Sequence, residues 1–206
     1  MRRRREPGQR RAEILDVAAE QFARNGYDDT RWADVAARVG IGSTALYHYF
    51  ESKQPCRFEL IADSIAGFRG RFDEHVTTHD EWLDALSALL RGGFELSDAD
   101  VMRRRVLAAE QGRPRQTAAS AREEAARENA EARRRDHEFA WGTFLARGMQ
   151  QGLLPERDSQ LLARALLGLY NSVWVWYRPG GALSLDTVGA FYIQRELALL
   201  GVQSRA

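Results

Sequence analysis

With a single cysteine in 206 residues, the chain can form no internal disulfide, so a small scaffold held by disulfides is excluded. One isolated thiol, Cys56, fits a reducing compartment, and a cytoplasmic location is expected. Histidines number four, which leaves little material for a metal centre. His75 and His79 stand four apart near Asp80 and Glu81, a spacing that binds metal on one helix. Thr77 and Thr78 mark a helix end between them, so solvated loop histidines are expected instead. A glycine-rich phosphate loop, a Cys/His cluster and a nucleophile elbow are all missing, and Cys56 has no evident base partner. No enzyme, no cofactor and no metal is expected. Long apolar runs are missing too. The most apolar stretch, Leu161 to Tyr177, is interrupted by Arg164 and Asn171 and reads as a buried helix rather than a membrane span. No apolar run follows the N-terminal arginines, so no signal peptide is expected. Net charge is only +1, which by itself gives no case for nucleic acid.

What the chain does have is a core and a local charge. Hydrophobic residues make up 44%. Arg2, Arg3, Arg4, Arg5, Arg10 and Arg11 face a single nearby acid, Glu6. A basic arm on a near-neutral protein predicts contact with phosphate or another anionic surface, the plain alternative being a solvated, disordered terminus. Apolar residues recur at helical spacing, and no alternating Val/Ile/Thr run appears, so the fold class is all-α. Three short helices are expected from about Arg10 to Phe50, capped or stopped by Gly26, Thr30 and Gly40. Longer ones follow, with Ser52, Asp80, Asp98, Asp158 and Ser184 or Asp186 as caps. The first half of a long helix, Ala118 to Asp136, is polar and reads as solvent-exposed or disordered. The expected organisation is a basic disordered arm (1–9), a three-helix helix-turn-helix domain (10–54) and a larger helical domain (55–206).

The segment Trp32 to Phe50 carries the strongest signal. Two helices crossing steeply around a tight turn need a small residue at the crossing, met by Ala36, with buried neighbours at Val35 and Val39. The turn needs a residue that tolerates positive φ, met by Gly40. Ile41 then points inward, and Leu46 and Tyr49 are the expected buried positions of the second helix. An ordinary αα-hairpin accounts for Gly40 and part of the periodicity, but not for every position at once. The geometry suits a major groove.

Asp34-Val-Ala-Ala-Arg-Val-Gly-Ile, followed by Leu46-Tyr-His-Tyr-Phe-Glu-Ser-Lys53, resembles the N-terminal domain of the TetR/AcrR family of transcriptional regulators. Phe22, Asn25-Gly26-Tyr27 and Thr30 extend the match over about residues 10 to 60. The resemblance implies that Thr30, Tyr47 and Lys53 meet backbone phosphates, contacts that position rather than specify. Ser43, Thr44 and His48 would face the groove floor, with Tyr49 and Phe50 as the core counterparts. A core Tyr47 and a merely solvated Lys53 are the competing readings. The groove-facing lysine common in the family is absent from Gly42-Ser43-Thr44-Ala45, so base recognition is expected to lean on small hydroxyls, on Arg31 and on Arg2 to Arg5.

The family also implies a C-terminal half that binds an effector and dimerises. Leu169-Tyr-Asn-Ser-Val-Trp-Val-Trp-Tyr-Arg-Pro-Gly-Gly181 resembles the penultimate helix of members that respond to acyl-CoA thioesters. Helical spacing places Leu167, Tyr170, Asn171, Trp174 and Arg178 on one face, expected to line a pocket for an apolar or amphipathic effector. Phe68, Phe72, Phe94, Trp141, Phe144, Leu145 and Met149 are further lining candidates, unless these residues simply fill a core. Leu166, Leu169, Val173 and Trp176, with Phe191 and Tyr192, are the expected dimer interface. The function implied is a repressor that binds double-stranded operator DNA as a homodimer and is released by a small effector. A helical acyl-ligand carrier whose helix-turn-helix only packs is the alternative.

Overall fold

The computed structural model describes residues 7–110 and 117–202. Among these it contains nine helices and no strand: α1 (Pro7–Asn25), α2 (Trp32–Val39), α3 (Ser43–Tyr49), α4 (Lys53–Thr78), α5 (Trp82–Gly92), α6 (Asp98–Glu110), α7 (Ala121–Gln150), α8 (Ser159–Trp176) and α9 (Leu185–Leu200). Pro7 opens α1, where a missing N–H costs nothing, so Pro7 to Gln9 are helical and not part of an arm. Arg2 to Arg5 lie outside the described residues.

The packing divides into two units: Met1–Ser64 with Met102–Glu131, and Ile65–Val101 with Ala132–Ala206. The boundary expected at Pro55 is not where the contacts divide. Residues 55–64 join the first unit because Cys56 and Leu60 are buried in its core.

The first unit is centred on Ile14, Ala18 and Phe22 of α1, Val35, Ala36 and Val39 of α2, Leu46 of α3 with Phe50, and Val106 of α6. Gly40 ends α2 at φ 75°, and the amide of Ile41 then donates to the Ala36 carbonyl (3.0 Å). This left-handed closure turns the chain into α3. Of the two core counterparts expected beside Leu46, Phe50 is fully buried (1% exposed), whereas Tyr49 is half-buried. Cys56 is completely buried, and burial pushes its thiol pKa well up. The polar start of α7 is ordered helix. Ser120 Oγ accepts from the Glu123 amide (3.1 Å), and Glu123 accepts from the Ala119 amide (3.2 Å), a reciprocal cap. Glu123, Arg127 and Ala130 are buried, with Arg127 ion-paired to Glu124. Most of this stretch faces solvent, as expected, and its inward positions include two charged residues because long charged side chains can bury their stems.

The second unit is built around Phe72, Trp82, Leu86, Leu89, Trp141, Phe144, Leu145, Leu162, Leu166 and Leu200. Trp82 stacks on Phe144 (4.9 Å between centroids, 16° between planes), and its indole N–H donates to the Phe144 carbonyl (2.9 Å). The close approach needs Gly148, where a Cβ would stand 2.5 Å from the Trp82 ring. Asp158 caps α8 by accepting from the amides of Gln160 and Leu161, both at 2.9 Å. Ser184 caps α9 through the Thr187 amide (3.1 Å). Two caps differ from expectation. Glu81, not Asp80, precedes α5 and makes no side-chain cap bond. Ser97, not Asp98, accepts from the Asp100 amide at the start of α6. Helix α9 packs on α8 and α5.

Candidate functional site

Helix α3 has two opposite characters. Leu46 is completely buried, and Phe50, just past the helix end, is locked in the core. Ser43, Thr44, Tyr47 and His48 form an exposed strip, Tyr47 at 53%. These four residues follow helical spacing, so a flat surface or groove meets them together. Arg31 is exposed beside them in sequence, as the residue that precedes α2.

The helix is held at its far end by cations. Arg11 Nη1 donates to the Tyr49 carbonyl (2.9 Å), and Arg122 Nη2 donates to the same oxygen (3.2 Å). The last carbonyls of a helix lack intrahelical donors and carry partial negative charge, so two guanidinium groups there stabilise α3 where it ends. Arg11 is itself fixed by Glu59, whose hydrogen bonds raise the guanidinium pKa, and it lies over the Phe50 ring at 4.1 Å. Ser120 hydrogen-bonds Glu51 just beyond α3. The sequence gives no signal for Arg122, because the contact joins residues 73 apart in the chain.

Three expected phosphate-contact features are otherwise engaged. Thr30 is buried (3%), and its hydroxyl donates to the Gly26 carbonyl (2.7 Å), so it neither caps α2 nor faces solvent. Lys53 Nζ donates to the carbonyls of Tyr27 (2.9 Å), Asp28 (3.2 Å) and Thr30 (2.7 Å) and sits 4.7 Å from the Tyr27 ring centroid. An ammonium has three donors, so Lys53 acts as a clamp on the α1–α2 connection. Arg10 and Arg11 belong to α1, with Arg10 paired to Glu13 (2.8 Å), and do not extend the basic arm.

The effector candidates fall into two aromatic groups. Phe72, Trp141 and Phe144 touch one another at centroid distances of 5.1 to 6.1 Å, with Phe68 joined to Phe72 through His137. Leu145 is fully buried there, and Met149 and Leu167 pack against the same core. Phe94 meets Tyr170 (5.4 Å), Trp174 (5.9 Å) and Tyr192 (6.4 Å) in the second group. The Tyr170 hydroxyl donates to the Gly93 carbonyl (2.8 Å). Asn171 is half-buried. Arg178 does not reach the interior; it is exposed and donates to the carbonyls of Val175 (3.2 Å) and Tyr177 (3.0 Å) at the end of α8.

The residues expected at a dimer interface divide by exposure, with Trp176 and Phe191 exposed and the others drawn inward. Leu166 (2%) and Val173 (0%) are buried inside the protomer, and Leu169 and Tyr192 are half-buried. On α8 and α9 the exposed large apolar residues are Leu161 (64%), Val175 (64%), Trp176 (45%) and Phe191 (53%).

One interior acid was missed by sequence reasoning. Glu196 on α9 is 1% exposed, and neither carboxyl oxygen has a hydrogen-bond partner among the described residues. Burial raises its pKa to about 7. Its spacing from Val188 and Tyr192 placed it on the apolar face, a register signal that was available in the sequence. Among the described residues no cluster of acids, histidines or cysteines is arranged to hold a metal ion, and no helix is long and apolar enough to cross a membrane.

Comparison with known proteins agrees with this geometry. Residues 14–60 match the family of bacterial regulatory proteins, tetR family, and residues 100–201 match the tetracyclin repressor-like C-terminal domain. The HTH-type transcriptional repressor KstR2 of Rhodococcus jostii is 32% identical over 189 residues, covering 89% of this chain and 87% of that protein. The structure of the ketosteroid transcriptional regulator KstR2 of Mycobacterium tuberculosis is 28% identical, with TM-score 0.71, covering 97% of this chain and 98% of that one. AibR, solved in complex with isovaleryl coenzyme A and operator DNA, shares the fold at 20% identity and TM-score 0.74, covering 90% and 97%. A short helix exposed along one strip and locked along the other, turned by Gly40 and matched over both halves of the chain, places this protein in the TetR family of bacterial transcriptional regulators.

Proposed function

We propose that the protein is a transcriptional repressor that binds a palindromic operator as a homodimer and leaves it when a small apolar effector, such as an acyl-CoA or a ketosteroid derivative, occupies the second unit. The observation that carries the DNA-binding reading is the exposed strip Ser43, Thr44, Tyr47 and His48 on a helix fixed from behind by Leu46 and at its end by Arg11 and Arg122. A pre-set strip meets a major groove without an ordering cost. Tyr47 is the phosphate-contacting hydroxyl, Ser43, Thr44 and His48 face base edges, and Arg31 with Arg2 to Arg5 adds electrostatic attraction. The KstR2 relatives, named as repressors, support the direction of control.

Dimerisation uses the outward stripe Leu161, Ala165, Gly168, Val175 and Trp176 of α8 together with Phe191 of α9. Small residues between large apolar ones let a symmetry-related pair of helices approach closely. Two copies of α3 then read two half-sites at a fixed spacing.

Fluorescence anisotropy with DNA from upstream of the protein's own gene, against scrambled DNA, tests the reading. Selective, salt-sensitive binding is expected. Tyr47→Phe lowers affinity for every operator variant by about tenfold, the worth of one charge-assisted hydrogen bond. A loss confined to one base position would contradict the phosphate role. Removal of residues 2–5 flattens the salt dependence by about 0.9 in slope for each arginine that meets a phosphate. Absence of selective binding to any DNA would favour the acyl-ligand carrier.

A further inference from the structure

We propose that Glu196 is the polar recognition group of the effector site, where it hydrogen-bonds an uncharged carbonyl on the apolar end of the ligand. The inference rests on the effector reading above and names the chemistry that the second unit selects.

Four observations converge on this residue. Glu196 stands on the inner face of α9, one turn after Tyr192 and one turn before the fully buried Leu200. Ile193 and Leu197, on either side, pack into the apolar core. Both of its carboxyl oxygens lack a hydrogen-bond partner among the described residues. Tyr192 lies 6.4 Å from Phe94, which also meets Tyr170 and Trp174, so the acid stands one helical turn from the residue that joins α9 to the second cluster of effector candidates.

A buried polar group without a partner is costly and calls for an explanation. A structural ion pair does not supply one. The charged side chains of the helices packed on α9 are Asp84 and Arg91 of α5 and Arg164 of α8; all three are exposed, and Arg164 is engaged by Glu138. On α9 itself Asp186 and Arg195 are also exposed. Desolvation alone shifts the Glu196 carboxyl, to about 7, so the neutral acid is abundant near neutrality. A neutral carboxyl has one O–H to donate. Its natural complement is an acceptor without charge, since an anionic group placed against it would be repelled by the ionised form and a hydrocarbon would leave the carboxyl unpaired. A ketone on a ring system and the thioester carbonyl of an acyl-CoA share that chemistry.

Intrinsic tryptophan fluorescence of the full-length protein, with Trp141 and Trp174 in the second unit, reports binding. Androst-4-ene-3,17-dione and isovaleryl coenzyme A represent the two carbonyl sources, with 5α-androstane, which lacks the ketones, and free coenzyme A, which lacks the thioester carbonyl, as controls. Wild-type protein is expected to bind at least one carbonyl probe more tightly than its control, with affinity falling about tenfold per pH unit above pH 7. Glu196→Leu should weaken that probe at least tenfold. Glu196→Gln, whose amide also donates, should restore binding and abolish the pH dependence. Equal binding by wild type and Glu196→Leu, or binding of neither probe by wild type, would overturn the proposal. Operator binding measured on the same three proteins separates this from the repressor reading, because tight and equal DNA binding by all three leaves that reading intact whichever way the probes behave.

Discussion

A carboxyl whose folded pKa is raised makes the native state lose stability as pH rises. Unfolded, Glu196 releases its proton near 4.5; folded, it holds the proton to about 7. Below pH 4.5 both states carry the proton and there is no penalty. Between 4.5 and about 7 the unfolded state gains from ionising while the native state does not, and about 3 kcal/mol is lost. Urea denaturation at pH 4 and pH 8 is expected to reveal that loss for wild type and to find it abolished in Glu196→Gln. The turn glycine makes a second residue-scale prediction. At Gly40 no atom lies within 4 Å of an added Cβ, yet φ is 75°, so Gly40→Ala costs about 1–2 kcal/mol through backbone conformation alone. A thermal midpoint unchanged in Gly40→Ala would contradict this. Residues of this kind mark what the sequence discloses and what it withholds. Gly40 is legible because local geometry demands it. Lys53 is not: its position in the Leu-Tyr-x-x-Phe-x-Ser-Lys string is plain, but three carbonyl acceptors from a connection more than twenty residues away are set by tertiary structure.

At the scale of elements, helix type and order followed from apolar spacing, and the caps Asp158, Ser184 and Ser52 were legible because capping is local. The facing of helices was less so. Helix α8 is apolar on nearly every side, and its periodicity cannot say which side meets the protomer and which stays outward. Leu166 and Val173 therefore had to be reassigned by burial. The first half of α7 is largely exposed, as its polarity suggests, but it is ordered helix, and its few inward positions include the charged Glu123 and Arg127, which composition does not single out. Packing between elements is sharpest at Gly148. A methyl there meets the Trp82 ring at 2.5 Å, and Trp82 is pinned by its indole bond and its stacking on Phe144. Gly148→Ala is expected to destabilise the protein by about 2–3 kcal/mol, read as a lowered urea midpoint. In Gly148→Ala with Trp82→Leu part of that cost should be recovered, a coupling that a double-mutant cycle measures.

For the whole molecule, the outward stripe on α8 and α9 predicts how assembly and operator binding depend on each other. A Val175→Glu substitution places a charge at the centre of the proposed interface and leaves the α3 strip untouched. Analytical ultracentrifugation should find the variant monomeric at micromolar concentration, and operator affinity should fall by at least a hundredfold, because a single half-site retains only part of the contacts. A monomer with undiminished operator affinity would count against the symmetric reading. The lone thiol offers an independent view of the same molecule. Cys56 has no exposed surface and sits among Leu46, Phe50 and Leu60, and its sulfur is held in the unreactive protonated form. An alkylating reagent can reach it only when that core parts. Labelling of the native protein is therefore a clock for openings of the DNA-reading half, one that requires no engineered probe. Its rate, followed with and without operator, would say how firmly DNA keeps that half closed.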